Sequence, residues 1–90
     1  MPSRAVEVRN ERGLHARASA KFVTLASSLP VEVEVEKDGS KVCGTSIMGL
    51  MMLAAGPGTM VTVSAKGPEA RQAVDAIAAL IADKFNEEGV

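Results

Sequence analysis

A chain of 90 residues, 47% of them hydrophobic, reads as one small packed domain spanning 1–90 and nothing larger. A net charge of −1, with two phenylalanines and no tryptophan or tyrosine, argues against a nucleic-acid binder, which needs a basic face and stacking platforms. The lone cysteine, Cys43, rules out an internal disulfide or a cysteine-based metal cluster, and the scarcity of aromatics makes the core aliphatic.

Arg4 to Arg9 alternates, with Val6 and Val8 on one face and Glu7 on the other, which predicts a half-buried strand. Asn10 to Gly13 reads as a polar loop. From Ala16 to about Ser28, apolar positions at Ala18, Phe22, Leu25, Ala26 and Leu29 recur at helical spacing, and Pro30 ends that helix. Val31, Val33 and Val35 alternate with Glu32, Glu34 and Glu36, so a second strand has one dry face and one solvated acidic face. Asp38-Gly39 signals a hairpin, with a short return strand through Lys41, Val42 and Cys43. Cys43 itself reads as a small buried or half-buried strand residue without a redox role.

Ser46 is a good N-cap residue, and Ser46 to Leu53 reads as a two-turn, methionine-rich helix. A helix that short cannot bury every face, so at least one or two of Met48, Met51 and Met52 should be exposed, and an exposed apolar patch marks a partner site. Gly56-Pro57-Gly58 is a turn. Met60 to Ala65 alternates with Val61, Val63 and Ala65 inward. Gly67-Pro68-Glu69 opens the last helix, with Pro68 near its first position and an acidic residue in its first turn. Its buried stripe reads Ala70, Val74, Ile77, Ala78, Ile81 and Phe85, and Lys84 suits its negative end. The order β-α-β-β-α-β-α predicts an α+β open-faced β-sandwich. A four-stranded antiparallel sheet is covered on one face by two long helices and one short one. No apolar run approaches the roughly 20 residues that span a bilayer, and Met1 to Arg4 shows no apolar signal segment. The chain is therefore expected in the cytoplasm, without membrane insertion.

The single histidine, His15, sits in Gly13-Leu14-His15-Ala16-Arg17, immediately before the first helix. Helix N-termini present unpaired N–H groups and favour negative charge, which suits a phosphate. An unperturbed imidazole, with a pKa of about 6.5, is largely uncharged and nucleophilic at neutral pH. The backbone N–H groups of Ala16 and Arg17 are placed to receive phosphate oxygens, and the Arg17 guanidinium adds a charge-assisted contact. Gly13 lets the loop approach its neighbours closely.

Gly13-Leu14-His15-Ala16-Arg17 resembles the active-site signature of the HPr family, the histidine-containing phosphocarriers of the bacterial phosphoenolpyruvate-dependent phosphotransferase system. Ser46-Ile47-Met48-Gly49-Leu50-Met51-Met52-Leu53 resembles that family's regulatory-serine segment, and Gly67-Pro68-Glu69-Ala70 also fits. Two separated motifs in register, covering essentially the whole chain, are more specific than either alone. The resemblance implies that His15 accepts a phosphoryl group on Nδ1 from enzyme I and that Arg17 helps neutralise it. It implies that Ser46 is the position an HPr kinase/phosphorylase modifies in some bacteria, and that Ile47, Met48 and Met51 dock enzyme I and enzyme IIA-type acceptors. With one histidine and one cysteine, a metal site has too few ligands, and no second base is visible. The chain is therefore expected to act without cofactor or metal, as a covalent intermediate rather than a free-standing enzyme, and as a monomer that shows one face to several partners.

Ala18 stands where the family often has proline, and Thr45 where lysine is frequent. Met51-Met52-Leu53 leans toward the nitrogen-branch form, NPr, while Ser46-Ile47-Met48-Gly49 leans toward carbon-branch forms. The second reading is therefore an NPr-like regulatory protein acting by phosphorylation-dependent partner binding. A third, an acylphosphatase-like hydrolase, would need a water-orienting asparagine, and Asn10 lies near the His15 loop.

Overall fold

Alternating valines build the sheet, and its order follows from which dry faces meet. A computed structural model describes residues 1–86; the last four residues of the expected domain lie outside the described ones. The strands are β1 (Ser3–Glu7), β2 (Glu32–Lys37), β3 (Ser40–Cys43) and β4 (Met60–Lys66). The helices are α1 (Ala16–Ser27), α2 (Ile47–Met52) and α3 (Ala70–Ala82), followed by a 3-10 turn at Lys84–Asn86. The sheet is antiparallel in the order β1-β4-β2-β3. β4 is central, with Val6 opposite Val61 and Val35 opposite Val63. This is the open-faced α+β sandwich that the patterning predicts.

Val6, Val33, Val35, Val61, Val63 and Ala65 point into one core with Phe22, Leu50, Ile77 and Ile81. Each fully buried valine or leucine contributes about 1.5–3 kcal/mol, so the aliphatic core holds the sheet without large aromatics. Glu32 and Glu34 stand exposed on the other face, and Glu36 is half-buried. At the hairpin, Lys37 pairs with Ser40. Asp38 and Gly39 both take positive φ, 51° and 85°, as a type I′ turn requires.

Several expectations are corrected. β1 ends at Glu7, two residues before Arg9, yet Val8 stays fully buried because its backbone exchanges hydrogen bonds with Thr59 and Gly58, each 2.8 Å long. Pro68 does not open α3. The helix starts at Ala70 behind Glu69, which caps it in the left-handed region at φ 57° with no side-chain bond, and the first turn holds no acid. Phe85 is fully buried, but on the 3-10 turn rather than on the α3 stripe, with φ 55°. Lys84 is exposed beyond the α3 C-cap, Asp83, so it does not serve that helix end. The carbonyl of Phe85 accepts instead from Lys21 Nζ on α1, at 2.6 Å. Asn10 to Gly13 is the expected loop, with Asn10 buried at 1% exposure. Cys43 is exposed, because β3 is an edge strand whose inward position belongs to Val42, half-buried against the core.

Candidate functional site

His15 is the N-cap of α1. Its backbone is extended, with φ −76° and ψ −179°, and its side chain is half-buried. Its Nδ1 accepts the backbone N–H of Arg17 at 3.2 Å, and its carbonyl accepts the N–H of Ser19 at 2.9 Å. An Nδ1 that accepts carries its lone pair there, so in the neutral ring the proton sits on Nε2. The first turn of α1 contains no acidic residue. No acidic side chain of that turn therefore offsets the positive end of the helix dipole at the imidazole. Ala16 and Arg17 are both exposed, with their amides in the turn that lacks intrahelical partners.

The loop before His15 is clamped by residues that patterning did not single out. The Asn10 side-chain amide donates to the Gly13 carbonyl at 2.7 Å, and the Gly13 N–H donates to the Asn10 carbonyl at 3.1 Å. The Leu14 N–H donates to the Ala55 carbonyl at 3.0 Å, and the buried Ser19 hydroxyl donates to the Leu14 carbonyl at 3.2 Å. Gly13 is held at φ +63°, where a Cβ would run into the Ala55 carbonyl and lie 2.8 Å from Gly56 Cα. Glycine is required on both counts. The only sequence signal for the clamp was an asparagine three residues ahead of a glycine, a pairing that favours local side-chain turns. Because Asn10 is buried and spent on the loop, it cannot orient a water at the surface, which removes the ground for the hydrolase reading.

Ser46 caps α2. Its Oγ accepts the Gly49 N–H at 3.0 Å, and its carbonyl accepts from Leu50 at 3.0 Å. A Cβ at Gly49 would lie 3.2 Å from both Ser46 Oγ and Val42 Cβ, so the cap and the glycine fit each other. α2 buries only Leu50. Ile47 and Met51 are each 41% exposed, and Met48 and Met52 are 70% and 78% exposed. Met52, one turn beyond Met48, extends the surface expected from Ile47, Met48 and Met51. α1 and α2 pack against each other. From Val42 to Ala65 the chain has no Lys, Arg, Asp, Glu or His, so this surface is apolar and uncharged.

Cys43 bonds through Sγ to Thr45 Oγ1, 3.0 Å apart. The Thr45 hydroxyl, and then its backbone, pull the thiol below the ordinary cysteine value, against smaller opposing effects of burial and of Glu32 and Glu34. Among the described residues, no helix is long and apolar enough to cross a membrane.

The family model described as the PTS HPr component phosphorylation site matches residues 2–83. The chain belongs to the HPr family. It is 47% identical to the phosphocarrier protein HPr of Cupriavidus necator, over 97% of this chain and 98% of that one. It is 42% identical to the phosphocarrier protein NPr of Shewanella violacea, over 93% and 92%. A crystal structure of an HPr from Thermoanaerobacter tengcongensis superimposes with a TM-score of 0.92 at 43% identity, covering 98% of this chain and 99% of that one. The chain is thus an HPr-family phosphocarrier of the phosphotransferase system.

Proposed function

We propose that His15 accepts the phosphoryl group from phosphorylated enzyme I and passes it to enzyme IIA-type acceptors. The observation that carries this reading is the Nδ1 lone pair held against the first turn of α1. The lone pair attacks phosphorus, a P–N bond forms at Nδ1, and the bond to the donor side chain breaks with its electron pair leaving on the donor. The ring becomes a cation whose charge is shared by both nitrogens, with the proton retained on Nε2. The phosphate oxygens replace Nδ1 as acceptors for the Arg17 amide, beside that of Ala16, and the Arg17 guanidinium neutralises part of the charge. Release to an acceptor reverses the same steps, so contacts on the phosphate must be few and exposed. Ala16 and Arg17 meet that condition.

Ile47, Met48 and Met51 form the docking surface, with Ser46 at its edge. Phosphorylation of Ser46 by an HPr kinase/phosphorylase would add a charge of about −1.5 to −2 next to apolar side chains that a partner must desolvate. Docking weakens, while the helix N-terminus tolerates the charge. The carrier works in the cytoplasm as a monomer showing this face to successive partners.

Similarity to a relative named NPr supports a second reading, a nitrogen-branch regulator. Transfer from labelled phosphoenolpyruvate through enzyme I and this chain to purified acceptors separates the two. Fast labelling of a sugar-specific enzyme IIA fits the carbon branch, labelling only of a nitrogen-branch IIA fits the regulator, and labelling of neither defeats the relay.

A further inference from the structure

Outside the motifs, one cation reaches into the segment that joins the apolar helix to the histidine loop. Lys37, the last residue of β2, donates from Nζ to the Leu53 carbonyl at 3.1 Å. Leu53 is the C-cap of α2. The Lys37 side chain is only 23% exposed, and its nearest carboxylate, on the exposed Asp38, lies 3.9 Å away. α2 has no basic residue in its last turn, and no lysine or arginine occurs between Val42 and Ala65. The negative end of α2 therefore receives its cation from the sheet.

The loop after Leu53 meets the histidine loop at Leu14. Ala54 turns through the left-handed region at φ 54°. The Ala55 carbonyl then accepts the Leu14 N–H at 3.0 Å, one residue before His15. A six-residue helix has no stability of its own in water, so its placement depends on its ends.

We propose that Lys37 is a positioning residue for phosphoryl transfer. By pinning the C-terminus of α2 it fixes the docking helix and, through Leu53-Ala54-Ala55, the loop that carries His15. The proposal rests on the phosphoryl-transfer reading above. Without the pin, only a fraction of molecules present α2 in the docking-competent arrangement, and apparent affinity falls by that fraction.

The test compares wild type, Lys37→Met and Lys37→Arg as substrates of enzyme I with phosphoenolpyruvate. Amide hydrogen exchange is followed across Leu50 to Ala55. Lys37→Met should raise KM about fivefold with kcat held within about twofold, the pattern of lost uniform binding. Exchange at Leu50 to Ala55 should speed up without a matching change in the β4 amides. Lys37→Arg should restore both. An unchanged KM in Lys37→Met, or a loss that arginine does not restore, overturns the proposal. Failure of wild type to become phosphorylated would defeat the transfer reading instead, and exchange in the three proteins would still decide whether Lys37 holds the helix.

Discussion

His15 Nδ1 and the backbone N–H of Arg17 are joined by a hydrogen bond of 3.2 Å, so the lone pair that caps the helix is the one that the proposed transfer uses as nucleophile. Capping fixes the ring against the helix N-terminus before any phosphate arrives. In the proposed transfer, phosphorylation would end that bond and hand the amide to a phosphate oxygen.

The two roles separate by substitution. His15→Ala loses the cap and should cost about 1 kcal/mol in urea unfolding. His15→Asn keeps a side-chain acceptor at a position where asparagine caps well, and its stability should stay within a few tenths of a kcal/mol of wild type. Neither variant should take up a phosphoryl group. Retention of wild-type stability by the alanine variant would show that the bond to Arg17 does no structural work.

Gly13 and Gly39 both have positive φ, 63° and 85°, but only Gly13 is crowded, by the Ala55 carbonyl and Gly56. Gly39→Ala should cost about 1 kcal/mol, the penalty of the left-handed backbone alone. Gly13→Ala adds a steric clash and should cost about 3 kcal/mol, while also displacing His15. Equal midpoints for the two variants in urea would contradict the clamp between Gly13 and Ala55.

At Ser46, alanine removes the acceptor for the Gly49 N–H and should lower stability by about 1 kcal/mol. Ser46→Asp keeps an acceptor and adds a charge suited to the helix end, so its thermal midpoint should stay close to that of wild type. Its rate of phosphorylation by enzyme I should nonetheless fall, because the charge borders Ile47 and Met48. Wild-type rates for the aspartate variant would remove Ser46 from the docking surface.

Cys43 carries a pH signature. The Thr45 hydroxyl favours the thiolate, so the folded-state pKa lies below the unfolded one. Folding stability from this group is absent below the folded value, rises with pH through it and is complete above the unfolded value. Alkylation of Cys43 by iodoacetamide should reach half-maximal rate at a lower pH in wild type than in Thr45→Val. Coincident profiles would mean that the contact between Sγ and Oγ1 leaves the thiol unaffected.

Much of this molecule was legible from its residues because burial and pattern agree. The valines of β2 and β4 alternate without interruption, Asp38-Gly39 suits one turn type, and Ser46 and His15 stand where caps belong. The failures share a different origin. Periodicity places Phe85 on α3, proline preference places Pro68 at its start and charge places Lys84 at its end, but Glu69, Lys84 and Phe85 all take left-handed backbone, and none of those signals carries information about φ. Cys43 was misjudged because strand order decides which residues lie on an edge, and order is set by long-range packing. Ser19, Ala55 and Lys37 act through backbone carbonyls in loops or across the fold, which no residue type announces, and Asn10 gives only the weak signal of an asparagine three residues ahead of a glycine.

The measurement that bears most directly on the central claim is intact mass after incubation with enzyme I and phosphoenolpyruvate, before and after mild acid, beside His15→Asn. One added phosphoryl group, lost in acid and absent from the stable asparagine variant, is the predicted result. No mass gain with a competent enzyme I, or an acid-stable gain that His15→Asn retains, would contradict phosphoryl transfer at His15.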